Sequence, residues 1–241
     1  MLYSHLQEVK YSDLFIDFDD TLYDTHGNAV IALGELYEYL HLEQHFDDPN
    51  IFYDDYWETN IRLWKQYSHG EIERRYLIVE RFRHPLSLGK GIDPTPEYCI
   101  EVSNKFLSLC AVKPGLVDGA KELMDYLRGK SYRMHLCSNG FHEVQYKKLH
   151  ACGLYDYFYT IILSEDAGAN KPSPIFFSYA FEKSGASKET TLMIGDNFNT
   201  DILGAKQAGL DTIYFNRFPD YPAPEAVTHE VHHLRDILNI L

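Results

Sequence analysis

The sequence predicts an α/β fold, a doubly wound parallel sheet with a small bundle of helices inserted after its first strand. Three observations predict it. From Leu116 to the C-terminus, short apolar runs alternate with amphipathic helical stretches. The run Leu14–Phe15–Ile16 is apolar at every position, as a strand buried on both faces is. Between them, from about His26 to Cys110, the pattern is helical and no strand-like run interrupts it.

Each element has its own warrant. The first strand, Leu14 to Asp17, runs straight into carboxylates, because LFIDFDDTLYD holds Asp17, Asp19, Asp20 and Asp24. Four helices follow with short joins: VIALGELYEYLHLEQHF, YDDYWETNIRLWKQY (ended by SHG), EIERRYLIVERF and PEYCIEVSNKFLSLC. The pattern changes at VKPG, Val112 to Gly115. In VDGAKELMDYLRG, Ala120, Leu123, Met124 and Leu127 share one helical face and Gly129 ends the helix. YRMHLCSNG is a strand running into a polar turn, and FHEVQYKKLHACG a helix with a glycine stop. YTIILSED is the next strand. KPSPIFFSYAFEKSG is a helix with Ser173 as N-cap, Pro174 at its first position and Gly185 past its end. TLMIGDNFNTD is a strand ending in Gly-Asp, followed by a helix to Gly209; DTIYFN is a last central strand, and THEVHHLRDILNIL a closing short strand and helix. The division implied is a core of residues 1–22 and 112–241 with a helical domain over 23–111.

The 241 residues suffice for such a core carrying a smaller domain. Apolar content of 45% and charged content of 24% are those of an ordinary folded soluble protein. A net charge of −14 argues against general affinity for nucleic acid or an anionic membrane surface, and an anionic small-molecule substrate needs local cations to offset it. Cys99, Cys110, Cys137 and Cys152 form no CxxC pair, so reduced thiols in a cytoplasmic protein are expected. MLYSHLQEVKYSDLF has no basic start followed by a long apolar run, and no later run approaches about eighteen apolar residues, so neither signal peptide nor membrane span is expected.

In parallel α/β sheets, ligands bind beyond the carboxyl ends of the strands. That nominates DFDDT, SNG, SED and GDNFNTD. In an extended segment residues i and i+2 face the same way, so Asp17 and Asp19 project together while Phe18 turns into packing. One carboxylate can attack while its neighbour handles protons. Thr21 is placed to donate a hydroxyl hydrogen bond. Asp196 and Asp201 form a second carboxylate pair, Ser138 and Asn139 offer short hydrogen-bond donors to a phosphate in a glycine-terminated turn, and Lys171 is a lone cation before a helix. A hard-oxygen site with a hydroxyl and an ammonium suits Mg²⁺ and phosphoryl transfer.

DFDDT, SNG, the Lys171 of NKPSP and GDNFNTD, in this order, resemble the four motifs of the haloacid dehalogenase superfamily, whose core is Rossmann-like. The resemblance covers the whole core, and the helical insertion is similar in position and size to that family's small helical cap. It implies that Asp17 is a nucleophile forming an aspartyl-phosphate and that Asp19 is the general acid and then the base. It implies Mg²⁺ held by Asp17, Asp196 and the backbone carbonyl of Asp19. Ser138 and Lys171 would hold the phosphoryl group, and Asp201 would orient Lys171 or a metal-bound water. The dehalogenase and phosphonatase branches lack a carboxylate at the position of Asp19, so its presence implies a phosphomonoesterase, with a phosphomutase as the rival. DFDDTL, GDNFNTDI and LWKQYSHGEIERRYLIVERF look most like the capped nucleotidases that hydrolyse pyrimidine nucleoside monophosphates. Sugar phosphates and other small phosphorylated metabolites are the alternative substrates. A phosphate-binding module without turnover would be marked by loss of Asp17 or Asp19, and both are present.

Several residues also have plain readings. Asp20 and Asp24 read as solvated turn residues, Asp201 reads alternatively as an acid at a helix N-terminus, and Lys171 as an exposed loop lysine. His229, His232 and His233 read as surface histidines. Trp57, Trp64, Tyr67 and Arg81 read as bundle core or surface, with Trp64 and Tyr67, one helical turn apart, the candidates for stacking on a base.

Overall fold

The computed structural model describes residues 10–218, 221 and 223–241. Strand β1 (Asp13–Ile16) leads into four helices, α1 (Thr25–Tyr39), α2 (Pro49–Ser68), α3 (Arg74–Ser87) and α4 (Pro96–Cys110). The chain then continues as α5 (Ala120–Gly129), β2 (Arg133–Ser138), α6 (His142–Ala151), β3 (Thr160–Leu163), the short α7 (Ser164–Ala167) and α8 (Pro174–Ser184). It ends with β4 (Thr191–Gly195), α9 (Leu203–Ala208), β5 (Asp211–Phe215) and β6 (His229–Val231). The six strands form one sheet in the order β3-β2-β1-β4-β5-β6, and every pairing is parallel.

β1 lies inside the sheet, with Ile16 opposite Leu136 on one side and Ile194 on the other. The pleat sends alternate side chains to opposite faces. Leu14 and Ile16 join Leu123, Met124, Leu127, Leu149, Leu234 and Ile237 on one face, while Phe15 joins Phe176, Phe177, Ala180 and Ala205 on the other. A strand covered on both sides has no place for a polar residue, which is why this run is apolar throughout.

Helices α1–α4 have their own core, in which Leu33, Leu36, Phe52, Tyr56, Phe82, Val102 and Phe106 meet. Arg81 is buried with them, its Nη2 donating to Ser103 Oγ at 2.6 Å. The two chain crossings that connect this bundle to the sheet run side by side. Tyr23 Oη lies 2.9 Å from the Cys110 carbonyl and 3.1 Å from that of Lys113, and the Asn28 side chain donates to the Gly115 carbonyl at 2.8 Å and accepts from its N–H at 3.1 Å. Farther along, Leu63, Leu77 and Ala111 pack on Phe141 and Val144.

Boundaries differ from the sequence reading where caps and local turns outweigh periodicity. α1 starts at Thr25 because Asp24 caps it, its side chain accepting from Gly27 N–H, so Asp24 is a helix cap and not a solvated turn residue. α1 stops at Tyr39; the chain turns through His41, at φ 52°, into a 3₁₀ turn over Leu42–Gln44. The apolar pattern runs on because Leu42 and Phe46 remain buried. α2 begins earlier, at Pro49 behind an Asp48 cap, and α3 continues through Pro85 to Ser87. The closing helix is 3₁₀, Leu234–Asn239, not α. Asp20, at φ 62°, pairs with Arg217 at 3.0 Å and is also no free turn residue.

At the amino-terminal edge of the sheet, buried Asp13 accepts from Ser12 Oγ and Arg133 Nη2, each at 2.7 Å, and meets His135 Nε2 at 2.9 Å. His135 is enclosed between the edges of Phe15 and Tyr159. Burial pushes its imidazole below the usual value, and the Asp13 carboxylate opposes this without reversing it. The unfolded chain therefore takes up a proton near pH ~6.5 that the folded chain resists, so stability falls as pH drops from about 7 to 5. His135→Gln keeps a donor for Asp13 and removes this contribution. Urea denaturation at the two pH values should show a smaller fall for the variant than for the wild type, and parallel pH–stability curves would refute the assignment.

Candidate active site

Because all the strands are parallel, the residues that follow β1, β2, β3 and β4 gather along one edge of the sheet. Lys171, in the loop between α7 and α8, is the centre of what they build. It is 1% exposed, so it is not a surface lysine. Its Nζ lies 2.6 Å from Asp17 Oδ1, 2.7 Å from Asp201 Oδ1 and 2.7 Å from the Cys137 carbonyl. An ammonium has three donors, and here all three have acceptors. Asn139 holds the lysine by its backbone, accepting from Lys171 N–H at 2.8 Å and donating to its carbonyl at 3.0 Å. The Asn139 amide thus bears on the site through the position of Lys171.

Asp201 is buried in a π-helical turn, Phe198–Ile202, where it also accepts from Asn197 N–H and Thr200 Oγ1, each at 3.1 Å. Its partner is a side chain across the site, so it is more than an acid favoured by a helix terminus. The carboxylate folds back so closely on Gly195 that a Cβ there would overlap it. Glycine at the end of β4 is what admits it.

Carboxylate oxygens of Asp17, Asp196 and Asp201 lie within 4.8 Å of one another. Thr21 Oγ1 stands between two of them, 3.0 Å from Asp17 Oδ2 and 2.9 Å from Asp196 Oδ1, and accepts from Asp196 N–H at 3.1 Å. Burial, with the Asp201 charge added, pushes the Asp17 carboxyl up to about 7 despite the Lys171 ammonium, and burial with Asp17 and Asp201 lifts Asp196 well above the carboxylate range. Three carboxylates against one ammonium leave an excess of buried hard-oxygen donors, the donor set a Mg²⁺ ion takes. The residues present therefore fit such an ion.

Asp19 lies apart from that cluster. Phe18 turns into the core as expected, and the Asp19 carboxylate is held by another set of groups. Its Oδ1 accepts from Lys148 Nζ at 2.6 Å and from Thr25 Oγ1 at 2.9 Å, and its Oδ2 accepts from Gln145 Nε2. Gln145 Nε2 also lies 2.6 Å from Ser138 Oγ. Burial alone would raise the Asp19 carboxyl; the Lys148 ammonium and the hydrogen bonds from Gln145 and Thr25 hold it below the usual range. Two carboxylates two residues apart are thus driven in opposite directions by their surroundings. Sequence reasoning missed Lys148, Gln145 and Thr25. A signal was there: the buried face of α6 is Val144, Gln145, Lys148 and Leu149, half of it polar.

Trp64 and Tyr67, near the end of α2, both pack on Phe141, the residue after the Ser138–Gly140 turn, at ring-centroid distances of 5.4 and 6.1 Å. Arg74 covers the same ring at 4.2 Å and pairs with Glu143 and Glu165. Asn170 Nδ2 donates to the Tyr67 carbonyl at 2.8 Å. The α2–α3 turn thus touches the loops that carry Ser138 and Lys171, and a cavity of about 570 Å³ lies between Tyr67–Gly70 and the Ser164–Ser173 segment. Trp57 faces His26 at 4.4 Å. His232 and His233 are exposed, and Asp17, Asp196 and Asp201 are the metal-competent group among the described residues.

A parallel sheet carrying a buried lysine–aspartate pair and an acidic cluster at its carboxyl edge, with a helical insertion touching the same loops, defines a Rossmann-like hydrolase. The chain belongs to the haloacid dehalogenase-like hydrolases, whose family model matches residues 14–209. It is 31% identical to the HAD-hydrolase YfnB of Bacillus subtilis strain 168 over 239 residues, covering 96% of both chains. The structure of YfnB bound to magnesium superposes with a TM-score of 0.83 over 96% of this chain and 98% of that one. The pyrimidine 5'-nucleotidases PynA of Streptococcus pneumoniae and YjjG of Escherichia coli are 30% and 29% identical, with 96% and 95% of this chain and 95% and 99% of theirs covered. The chain is thus an enzyme of a hydrolase family in which its relatives are phosphatases and nucleotidases. No described helix is long and apolar enough to cross a membrane.

Gly140 gives a direct test of the packing behind Ser138. A Cβ there would overlap the Gln145 side chain, which two hydrogen bonds hold in place. Gly140→Ala should cost on the order of 1–3 kcal/mol in urea denaturation. In a double-mutant cycle with Gln145→Ala the two costs should fall well short of additive, since the second change clears the overlap. Simple additivity would show that the two residues do not contend for this space.

Proposed function

We propose that the chain is a Mg²⁺-dependent phosphomonoesterase acting through an aspartyl-phosphate on Asp17, with pyrimidine nucleoside 5'-monophosphates as its preferred substrates. The observation that carries the chemistry is the buried Lys171 between Asp17 and Asp201, beside Asp196, with Asp19 on its own hydrogen-bonded arm. The nucleotide preference is supported by the likeness to PynA and YjjG, and the metal by the likeness to magnesium-bound YfnB.

Asp17, Asp196 and the backbone carbonyl of Asp19 would hold Mg²⁺, with Asp201 at the edge of that site; when bound, the ion supplies positive charge that offsets the buried carboxylates and the phosphate. An Asp17 carboxylate oxygen attacks phosphorus in line, a new O–P bond forms, and the bond to the leaving oxygen breaks. Asp19, protonated as the anionic phosphate binds beside it, gives that oxygen its proton. In the second half Asp19 takes a proton from water, whose oxygen attacks the phosphorus and frees Asp17. Ser138 Oγ and the Lys171 ammonium hold the phosphoryl oxygens, and Asn139 and Asp201 keep Lys171 in place. The insertion, taken as residues 23–111, supplies the discrimination among leaving groups. Four free thiols, three of them buried, suit a reducing cytoplasm.

A phosphate-release screen over nucleotides, sugar phosphates and small phosphorylated acids tests this. Excess chelator should abolish turnover and Mg²⁺ restore it; full turnover in chelator sinks the mechanism. Asp17→Asn should lower kcat by about a thousandfold or more, since the attacking oxygen is gone.

Specificity is a separate prediction. Trp64 and Tyr67 lie against Phe141, so a base would stack on their outer faces or take the place of Phe141. One such stack contributes on the order of 1–3 kcal/mol, roughly tenfold to a hundredfold in kcat/KM. Trp64→Ala or Tyr67→Ala should erode the preference for pyrimidine nucleotides by that factor. An unchanged substrate ranking in both removes these residues from base recognition. Sugar phosphates leading the wild-type ranking would leave the phosphatase chemistry standing and overturn the nucleotidase assignment.

A further inference from the structure

We propose that Lys148, with Gln145, is a positioning residue for departure of the alcohol: the two side chains, both on the inner face of α6, aim the Asp19 carboxyl at the leaving oxygen. This rests on the phosphomonoesterase reading above and assigns a function to two residues outside the four sequence motifs.

The geometry is specific. Lys148 Nζ is 2.6 Å from Asp19 Oδ1, and it stands 4.9 Å over the ring of Tyr23, whose hydroxyl lies 2.9 Å from the Cys110 carbonyl at the end of the helical insertion. Gln145, with no exposed surface, donates to Asp19 Oδ2 and reaches Ser138 Oγ at 2.6 Å. Both Asp19 oxygens are thus held, one from each residue, and Gln145 ties the leaving-group side of the site to the side that would hold the phosphoryl group. Gly140 has no Cβ where Gln145 passes, so the turn itself is shaped around this bridge.

A merely structural ion pair does not account for the arrangement. A lysine drawn into the protein costs desolvation, and its ammonium has three donors. Among the described residues, Asp19 is its hydrogen-bond acceptor and the Tyr23 face its other contact, so it retains N–H capacity beside the point where the leaving oxygen must sit. Lys171, by contrast, has an acceptor for each of its donors. The two buried lysines therefore divide the work. Lys171 belongs to the nucleophile and the phosphoryl group, and Lys148 to the acid and the alcohol.

The test is leaving-group dependence in the full-length protein with saturating Mg²⁺. Two esters are compared: p-nitrophenyl phosphate, whose leaving group needs little proton donation, and the alkyl ester that the wild type turns over best. In Lys148→Met, kcat should fall for both, and by about tenfold or more further for the alkyl ester. KM for the alkyl ester should change less than kcat, since the phosphoryl contacts remain. Lys148→Arg should recover part of the lost ratio by keeping a charged donor. Gln145→Ala should shift the ratio in the same direction, and it serves as the readout if Lys148→Met does not fold. Equal losses on both esters in Lys148→Met, or in Gln145→Ala in its place, overturn this inference while leaving a working phosphatase. A wild type that hydrolyses neither ester overturns the phosphomonoesterase reading and the inference with it.

Discussion

The ammonium of Lys171 is the constraint on which the rest of the site depends. A lysine with 1% exposure is tolerable only if its charge is matched and its donors used, and three acceptors from three strand ends do this. Asp17 comes from the end of β1, the Cys137 carbonyl from β2, and Asp201 from the turn after β4. Removing the lysine would leave Asp17, Asp196 and Asp201 facing one another in a buried space. The order β2-β1-β4 puts β1 in the middle, so Asp17 emerges between the other two contributors. Topology thus delivers the residues, and one point charge holds them together.

Around that centre the site separates into two electrostatic compartments. On one side the carboxylates outnumber the ammonium, and Asp17 and Asp196 are driven up. On the other, Lys148, Gln145 and Thr25 together outweigh the burial of Asp19 and drive it down. The two sides are only two residues apart along the chain, yet they are served by different elements: β4 and the Lys171 loop for one, α6 for the other. The roles proposed ask for the reverse, an ionised Asp17 and a protonated Asp19, so a bound cation would have to bring Asp17 down and the charge of a phosphate to bring Asp19 up.

Much of this was legible in the sequence, and the reasons are local. Leu14–Phe15–Ile16 is apolar because both faces are covered, and the carboxylates after it mark the edge at which parallel α/β sheets in general bind ligands. Ser173, Pro174 and Gly185 bracket α8 as the capping rules require. What was not legible depends on long-range contacts. Two partners of Asp19, Gln145 and Lys148, lie more than a hundred residues away, and α6 was read for its apolar period, which hid that both point inward. Asn139 looked like a donor to phosphate, whereas both ends of its amide are spent on the backbone of Lys171, 32 positions on. The stop of α1 was missed because Leu42 and Phe46 stay buried past the left-handed turn at His41.

The paired crossings at Tyr23–Asn28 and Cys110–Gly115 have a mechanical consequence. A domain hung on one linker can swivel in every direction. Two linkers laid side by side and cross-tied by the Tyr23 hydroxyl and the Asn28 amide would confine such a swivel to an axis running through the ties, as in a door hinge. Displacement about such an axis grows with distance from it. Any rotation about the ties would leave Thr25 beside Asp19 and be largest at the far end of α2, where Trp64 and Tyr67 lie.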